Sequence, residues 1–593
     1  MRSRSSRSSS FSSRSETALA GLILALLVWL FLFPVLSGGR VWLPTRLLFW
    51  AYPFRASSVE TPPPWNPLMW DGAAQFGVWR LYAARMWKEG HLPLWNPHQG
   101  AGYPLYANSQ SAVFYPPNAQ FAWLGARAFG WLAGWHLWWA GMGLWLLLRR
   151  QVGVDFASAL TGAVVFTFSL WMVTWQYLPT VPATASWIPW VVHTAGRWVC
   201  QPTARRATWW GATMGFCLLA GHLQIAFYAL LASILLVAYH AGASAWRSAQ
   251  DRSRHPLVRL SARPVATLSL ALAIAASLGA PQVLPAVELS RYSHRRAPAT
   301  MEGYSAYVSS AMPIAHLATL FLPDFFGHPN TAQSDAPDLS TYWGKGNYAE
   351  FACFVGVPAL LLAAVGMLGR RSIWRAYALL LAVLAMLMAL GTPLNALFYF
   401  GVPGFSGTGS PARVLVLWTF GVALLSAIGA HRLAEAGRRD WAIAVAILGV
   451  LFAVGMLTAQ VLAEQVLSGG AFSELFLLQA PVLVQGIALA VLGVGAVLFG
   501  LRRGWKPLFP QGVLVLSVLG SLWRRAWATT RPRLPRAPTH PLRSFSACRA
   551  LPKAGGESSR FRGDGAFTAH RRLSFRPILL RHWGCMTCRF TTR

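Results

Sequence analysis

A chain of 593 residues that is 55% hydrophobic and only 12% charged, with a mean hydropathy of +0.42, falls far below the roughly 25% charge of a soluble domain. This excludes a string of soluble domains and reads as an all-α, polytopic transmembrane helical bundle. The net charge of +33 would suit nucleic acid, but the positives gather at the N-terminus, in inter-helix loops and in the C-terminal tail, as membrane topology demands, so no nucleic-acid partner is expected.

In chain order, residues 1–16 are rich in Arg and Ser and read as a disordered basic cytoplasmic N-terminus. Residues 17–36 are apolar over the ~20 positions that cross a bilayer. The Ser37-Gly38-Gly39 exit is a poor cleavage site, so this stretch is expected to be an uncleaved first helix. A long loop, 39–120, follows. Spans are then expected near 121–148, 157–177, 182–199 (interrupted by Pro189), 207–221, 223–241 and 264–287. A second long loop, 288–350, separates these from spans near 351–369, 373–391, 413–431, 440–462, 480–501 and 508–523. The bundle thus covers 17–523 with about twelve or thirteen helices.

Orientation follows from Arg in the short loops. Arg2, Arg4, Arg7 and Arg14 precede the first span. Arg149-Arg150, Arg205-Arg206, a group from Arg247 to Arg259, Arg370-Arg371, Arg438-Arg439 and Arg502-Arg503 then fall on the same side if the helices alternate. That side is the expected cytoplasm, which places loops 39–120, 288–350, 392–412 and 463–479 outside. Residues 524–593 are basic and without periodicity. Such an Arg/Pro/Ser mixture is also what an out-of-frame reading of GC-rich DNA gives, and the tail is expected to be disordered. Cys200, Cys217 and Cys353 read as small packing residues. Cys585-x-x-Cys588, with only Cys548 near it, is a weak zinc or redox signal.

The first long loop holds the densest chemistry. Residues 65–118 mix Pro, Gly, Asn, Trp and Tyr with one conspicuous acid, Asp71. Such irregular backbone belongs outside hydrocarbon. Asp71 precedes an amphipathic stretch from Gln75 to Trp87 that is expected to lie at the interface. A carboxylate there could deprotonate a hydroxyl or hold a metal ion against a phosphate. An Asp before a helix is equally a preferred N-cap. Trp95, Asn96, Asn108, Gln110, Tyr115 and Asn118 offer aromatic faces beside amides and a hydroxyl, which suits a sugar and also suits loop packing. Arg291 and Arg413 sit where helices meet the expected outer face, where a guanidinium can grip a lipid phosphate or simply snorkel. Asp324 and Glu350 are candidate catalytic, metal-binding or paired acids. His222, in Gly221-His222-Leu223-Gln224, reads as a helix-end histidine. The expected spans are nearly free of Asp, Glu and Lys, which weighs against an ion-coupled transporter.

These blocks together resemble the YfhO family of bacterial membrane proteins, which belongs with the GT-C integral-membrane glycosyltransferases. The matching stretches are Trp70-Asp71 with Gln75, the run from Gly90 to Pro97, the run from Gly102 to Gln110, and Phe114 to Asn118. Gly221 to Gln224 with Tyr228, Ala280 to Pro285 through Ser290, Tyr342-Trp343-Gly344, Asn347-Tyr348 with Glu350, Gly391-Thr392-Pro393, and Val402 to Ser406 with Pro411-Ala412-Arg413 continue the match in order. The resemblance implies a bacterial plasma-membrane enzyme that moves a sugar from a polyprenyl-phosphate-linked donor to an envelope polymer or lipid acceptor, with inversion, on the outer face. It implies Asp71 as catalytic base or metal ligand, and a divalent cation (Mg or Mn) as a candidate cofactor. It implies Gln75, Trp95, Asn96, Asn108, Gln110, Tyr115, Asn118, His222, Arg291, Asp324, Glu350 and Arg413 as the substrate-binding set. It lapses at the C-terminus, where relatives continue with further helices and this chain has its Arg-rich tail. A lipid-linked-sugar flippase and a non-catalytic envelope scaffold are the competing readings.

Overall fold

The computed structural model describes residues 13–57, 64–250, 262–293, 298–332, 339–369, 371–433, 435–466, 471–503 and 508–530. Residues 531–593, with the C-x-x-C motif and most of the basic tail, lie outside the described residues. The expected disorder of residues 1–16 falls there too for 1–12, while Ser13 to Glu16 already belong to the first helix.

The main helices are α1 (Ser13–Phe31), α2 (Val78–Lys88), α3 (Ala128–Leu147), α4 (Phe156–Thr167), α5 (Leu170–Thr174), α6 (Ile188–Cys200), α7 (Ala204–Leu219) and α8 (Leu223–Gln250). They continue as α9 (Ala262–Ser290), α10 (Val357–Met367), α11 (Ile373–Ala389), α12 (Leu415–His431), α13 (Arg438–Val466), α14 (Ala471–Arg502) and α15 (Leu508–Thr530). Among the described residues there is no strand, only two isolated bridges. The chain is an all-helical, multi-pass membrane protein. Among the described residues six helices are long and apolar enough to cross a membrane, or up to eight if each of two bent pairs is one span.

Nearly every expected span is helical, but fewer are full-length crossings than the twelve or thirteen anticipated. The stretch 157–177 bends by 43° between α4 and Leu170–Tyr177, and α11 is followed at 79° by Leu394–Gly401. The stretch 351–369 contains only the eleven residues of α10. Around 182–199 the helix breaks before Ile188, where Pro189 starts a new first turn, the position that tolerates a missing N–H. The last helix runs to Thr530, past the expected end at 523.

Helix α12 is the hub, because 94% of its apolar window is buried inside the protein. Small residues let neighbours approach it. A Cβ on Gly429 would collide with the Leu362 carbonyl of α10, and one on Gly366 with the Leu425 carbonyl. A Cβ on Gly421 would lie 2.8 Å from the Ala378 carbonyl of α11. In lipid, where tails are as apolar as Leu, such backbone approach and interhelical hydrogen bonds hold helices together. Ser426 Oγ supplies one, donating to the Ala359 carbonyl at 2.8 Å.

The two ends of α12 separate two kinds of chemistry by about 25 Å. At its C-terminal end His431 pairs with Asp155 at 2.8 Å. Asp155 also caps α4 through the Ser158 amide. Arg149, on the turn leading into α4, holds Glu16 of α1 at 3.0 Å. At its N-terminal end the long loops meet.

Candidate functional site

The first loop is pinned to the second by a reciprocal amide pair. Asn66 Nδ2 donates to Asn347 Oδ1 at 3.0 Å, and Asn347 Nδ2 donates back to Asn66 Oδ1 at 2.7 Å. Asn66 also accepts from the Leu68 amide, which caps the short turn at Pro67–Met69. The chain then enters a π-helical turn, Gly72–Gly77, directly before α2. Widened turns of this kind concentrate at functional sites. Glycine is required at its start, because a Cβ on Gly72 would lie 2.5 Å from the Tyr177 carbonyl. Tyr177 itself stacks on Trp42 and meets Trp65 edge-on.

Asp71 stands at the head of this turn, partly buried. Its backbone is helical and its side chain makes no capping hydrogen bond, so the N-cap alternative is not what this side chain does. Instead Gln75 Nε2 donates to Asp71 Oδ1 at 2.8 Å. The carboxylate is thereby oriented by a neutral amide four residues on.

Two further residues of the expected set, Glu350 and His222, come together around a third, Arg413. Arg413 grips Glu350 bidentately, Nε at 3.0 Å and Nη2 at 2.7 Å from Oε1, with Nε 3.1 Å from Oε2. Both side chains are largely buried, at 19% and 11% exposure. The guanidinium lies over the Trp175 ring at 5.4 Å, a cation–π contact. Gln224 Nε2 donates to Tyr228 Oη and to the Ser410 carbonyl. His222 is buried and accepts from the Ile225 amide at Nδ1. Burial, and then the Arg413 charge, push its pKa down to about 3, so it is neutral. The tight turn before it needs Gly221, at φ +99°, whose Cβ would lie 2.6 Å from the Ser109 carbonyl of the first loop. Trp175 Nε1 is buried without a partner among the described residues.

The remaining candidates are placed differently. Asn96 is buried, and its Oδ1 accepts from the His98 amide. Asn108 Oδ1 accepts from the Gln110 amide, and Asn118 Nδ2 donates to the Ala112 carbonyl. These amides brace the first loop. Tyr115 is buried, with its hydroxyl 3.0 Å from both His136 Nε2 and Trp187 Nε1. Trp95 is 53% exposed, and Gln110 is half-buried. Asp324 accepts from Tyr348 Oη at 2.7 Å within the second loop. Arg291 is exposed just past the end of α9.

Asp71 and the Arg413 group are linked through two short routes. Asn66, five positions before Asp71, pairs with Asn347, whose carbonyl accepts from the Glu350 amide. Gly72 packs on Tyr177, two positions from Trp175. No group of three or more His, Cys, Asp or Glu that could hold a metal exists among the described residues. A divalent ion would have to take most of its ligands from substrate phosphate and water, with Asp71 as a protein ligand, a pattern common for Mg²⁺.

Sequence reasoning missed Arg80 on α2 and Trp175. Arg80 carried a signal: it shares a helical stripe with Phe76, Ala83 and Ala84, all of them buried, where a charge is out of place. Trp175 carried none, because a Trp in an apolar span looks like any other packing residue.

No family profile matches the sequence, and no curated protein sequence matches it. Among solved structures, the arrangement is similar to ArnT from Cupriavidus metallidurans bound to undecaprenyl phosphate, with 14% identity, a TM-score of 0.40, and coverage of 88% of this chain and 78% of that one. It is also similar to the archaeal oligosaccharyltransferase AglB from Archaeoglobus fulgidus in complex with an inhibitory peptide and a dolichol-phosphate, with 14% identity, a TM-score of 0.36, and coverage of 86% and 56%. Scores this low describe a loosely similar arrangement of helices and carry no assignment of activity.

Proposed function

We propose that this chain is an integral-membrane glycosyltransferase of the GT-C type, close to the YfhO family, that moves a sugar from a polyprenyl-phosphate donor to a cell-envelope acceptor on the outer face. The observation that carries the reading is Asp71: a carboxylate that makes no capping hydrogen bond, is oriented by Gln75 and is set where the two long loops join. The order of family-like blocks from residue 65 to about 430 supports it.

In this reading Asp71 accepts the proton of an acceptor hydroxyl as that oxygen attacks the anomeric carbon. The bond from that carbon to the phosphate oxygen breaks, its electron pair leaves with the polyprenyl phosphate, and the anomeric centre inverts. Gln75 acts as a positioning residue. The leaving phosphate needs a cation: Arg291, Arg413 or a divalent ion brought with the phosphate. Arg413 is the less suited of the two arginines, since releasing Glu350 would strand a buried carboxylate; its part is to fix the second loop against α12.

The test is a proteoliposome assay with a radiolabelled polyprenyl-phosphate sugar and an envelope extract as acceptor. The expected result is label in acceptor with stoichiometric release of polyprenyl phosphate. Label crossing the bilayer while still on its lipid, with no transfer, contradicts the proposal and identifies a flippase.

A further inference from the structure

The first loop carries a buried cation that the proposed chemistry does not use. Arg80 on α2 is only 4% exposed. It donates to two backbone carbonyls, those of Ser111 and Gln110. No ion pair among the described residues includes it, and its charge is compensated by no nearby carboxylate. Burial, partly offset by Tyr115, pushes its pKa down to about 9, so the guanidinium stays protonated at neutral pH. A guanidinium has five N–H donors, and a buried unpaired charge is costly.

Arg80 lines a cavity of about 500 Å³ between α2 and residues 111–123, a volume typical of ligand sites. Its walls are mostly apolar, with Ala84, Phe114 and Phe121 among them. Trp123, 78% exposed, and Trp87, 41% exposed, also line it, as aromatic side chains do at headgroup depth. Lys88 adds a second, exposed positive charge. The lining contains no Asp or Glu, and neither Asp71 nor Gln75 belongs to it. A reacting donor would need its anomeric carbon beside a catalytic acid, so a lipid seated here is held and not turned over.

We infer that this cavity is a binding site for an anionic phospholipid of the surrounding bilayer, whose phosphate sits on Arg80 and whose chains lie along the Trp87 and Trp123 side. The phosphate supplies the counter-charge that the protein withholds, and charge-assisted hydrogen bonds to guanidinium are the strong ones. The site does not depend on the transferase reading, since it requires no donor and no turnover.

The experiment is native mass spectrometry of the delipidated full-length protein in detergent, titrated with phosphatidylglycerol or with diacylglycerol of the same chains, which lacks the phosphate. Phosphatidylglycerol is expected to bind about tenfold more tightly, the effect of one charge-assisted contact. Arg80→Gln should abolish that preference. Ala84→Phe, which keeps Arg80 and fills the cavity, should weaken phosphatidylglycerol binding; it decides the matter if the Arg80 variant fails to fold, as read by its thermal midpoint without lipid. Equal binding of the two lipids, or wild-type binding by Ala84→Phe, overturns the inference. So does competition by glycerol 3-phosphate at equal concentration, which would make this a free-anion site. Displacement by a prenyl phosphate at lower concentration overturns it too, by giving the cavity to the donor.

Discussion

Glu350 and Arg413 show how a pair of side chains can be indispensable together and costly apart. Glu350 is buried and Arg413 largely so, and the bidentate geometry satisfies both. Arg413→Met should therefore lower stability by about 3–5 kcal/mol, because it strands a buried carboxylate. Adding Glu350→Leu should recover most of the loss, measured as the thermal midpoint in detergent; a double variant as unstable as the single one would show that the pair matters beyond its charges. His222, which lies in the field of the same arginine, gives a pH dependence. Its folded pKa is depressed from 6.5 to about 3, so between those values the unfolded chain binds the extra proton and stability falls as pH falls. From pH 7 to pH 5 the loss should be about 2 kcal/mol from this residue. His222→Gln should flatten that part of the stability profile, and an unchanged slope would contradict it.

At the scale of elements, the crossing of α10 with α12 depends on glycine at Gly366 and Gly429, where each backbone meets the other helix's carbonyl. Gly429→Ala should cost about 1–3 kcal/mol by overpacking, read as a drop in thermal midpoint. Gly449→Ala, on α13 with open space at its Cβ, should show no such drop. Helices were the most legible feature of the sequence, since long apolar runs announce themselves. Their breaks were not. The bend after α4 and the π-helical turn at Gly72–Gly77 depend on how neighbouring backbone approaches, as at Tyr177, and one-dimensional hydropathy does not record that. Asp71 illustrates the same limit. Its type and place fitted a cap as well as chemistry, and the helical backbone and the Gln75 bond set aside the cap.

At the scale of the molecule, three of the four loops expected on one side come together. Asn66 meets Asn347, Glu350 meets Arg413, and Ser410 donates to the Ser310 carbonyl at 2.8 Å. Arg patterning could place these loops on one face because charge is read at helix ends. It could not say that they interlock, because reciprocal amides and a buried ion pair leave no periodic trace. The fourth loop, 463–479, lies partly outside the described residues. In the proposed function this interlocked end performs transfer through Asp71. The most direct measurement is the rate of sugar transfer from a polyprenyl-phosphate donor by wild type and by Asp71→Asn at matched thermal midpoint. The expected result is a fall of about 10²–10⁴-fold in kcat/KM, the contribution of a positioned general base. Transfer at the wild-type rate by the folded Asp71→Asn protein would contradict it.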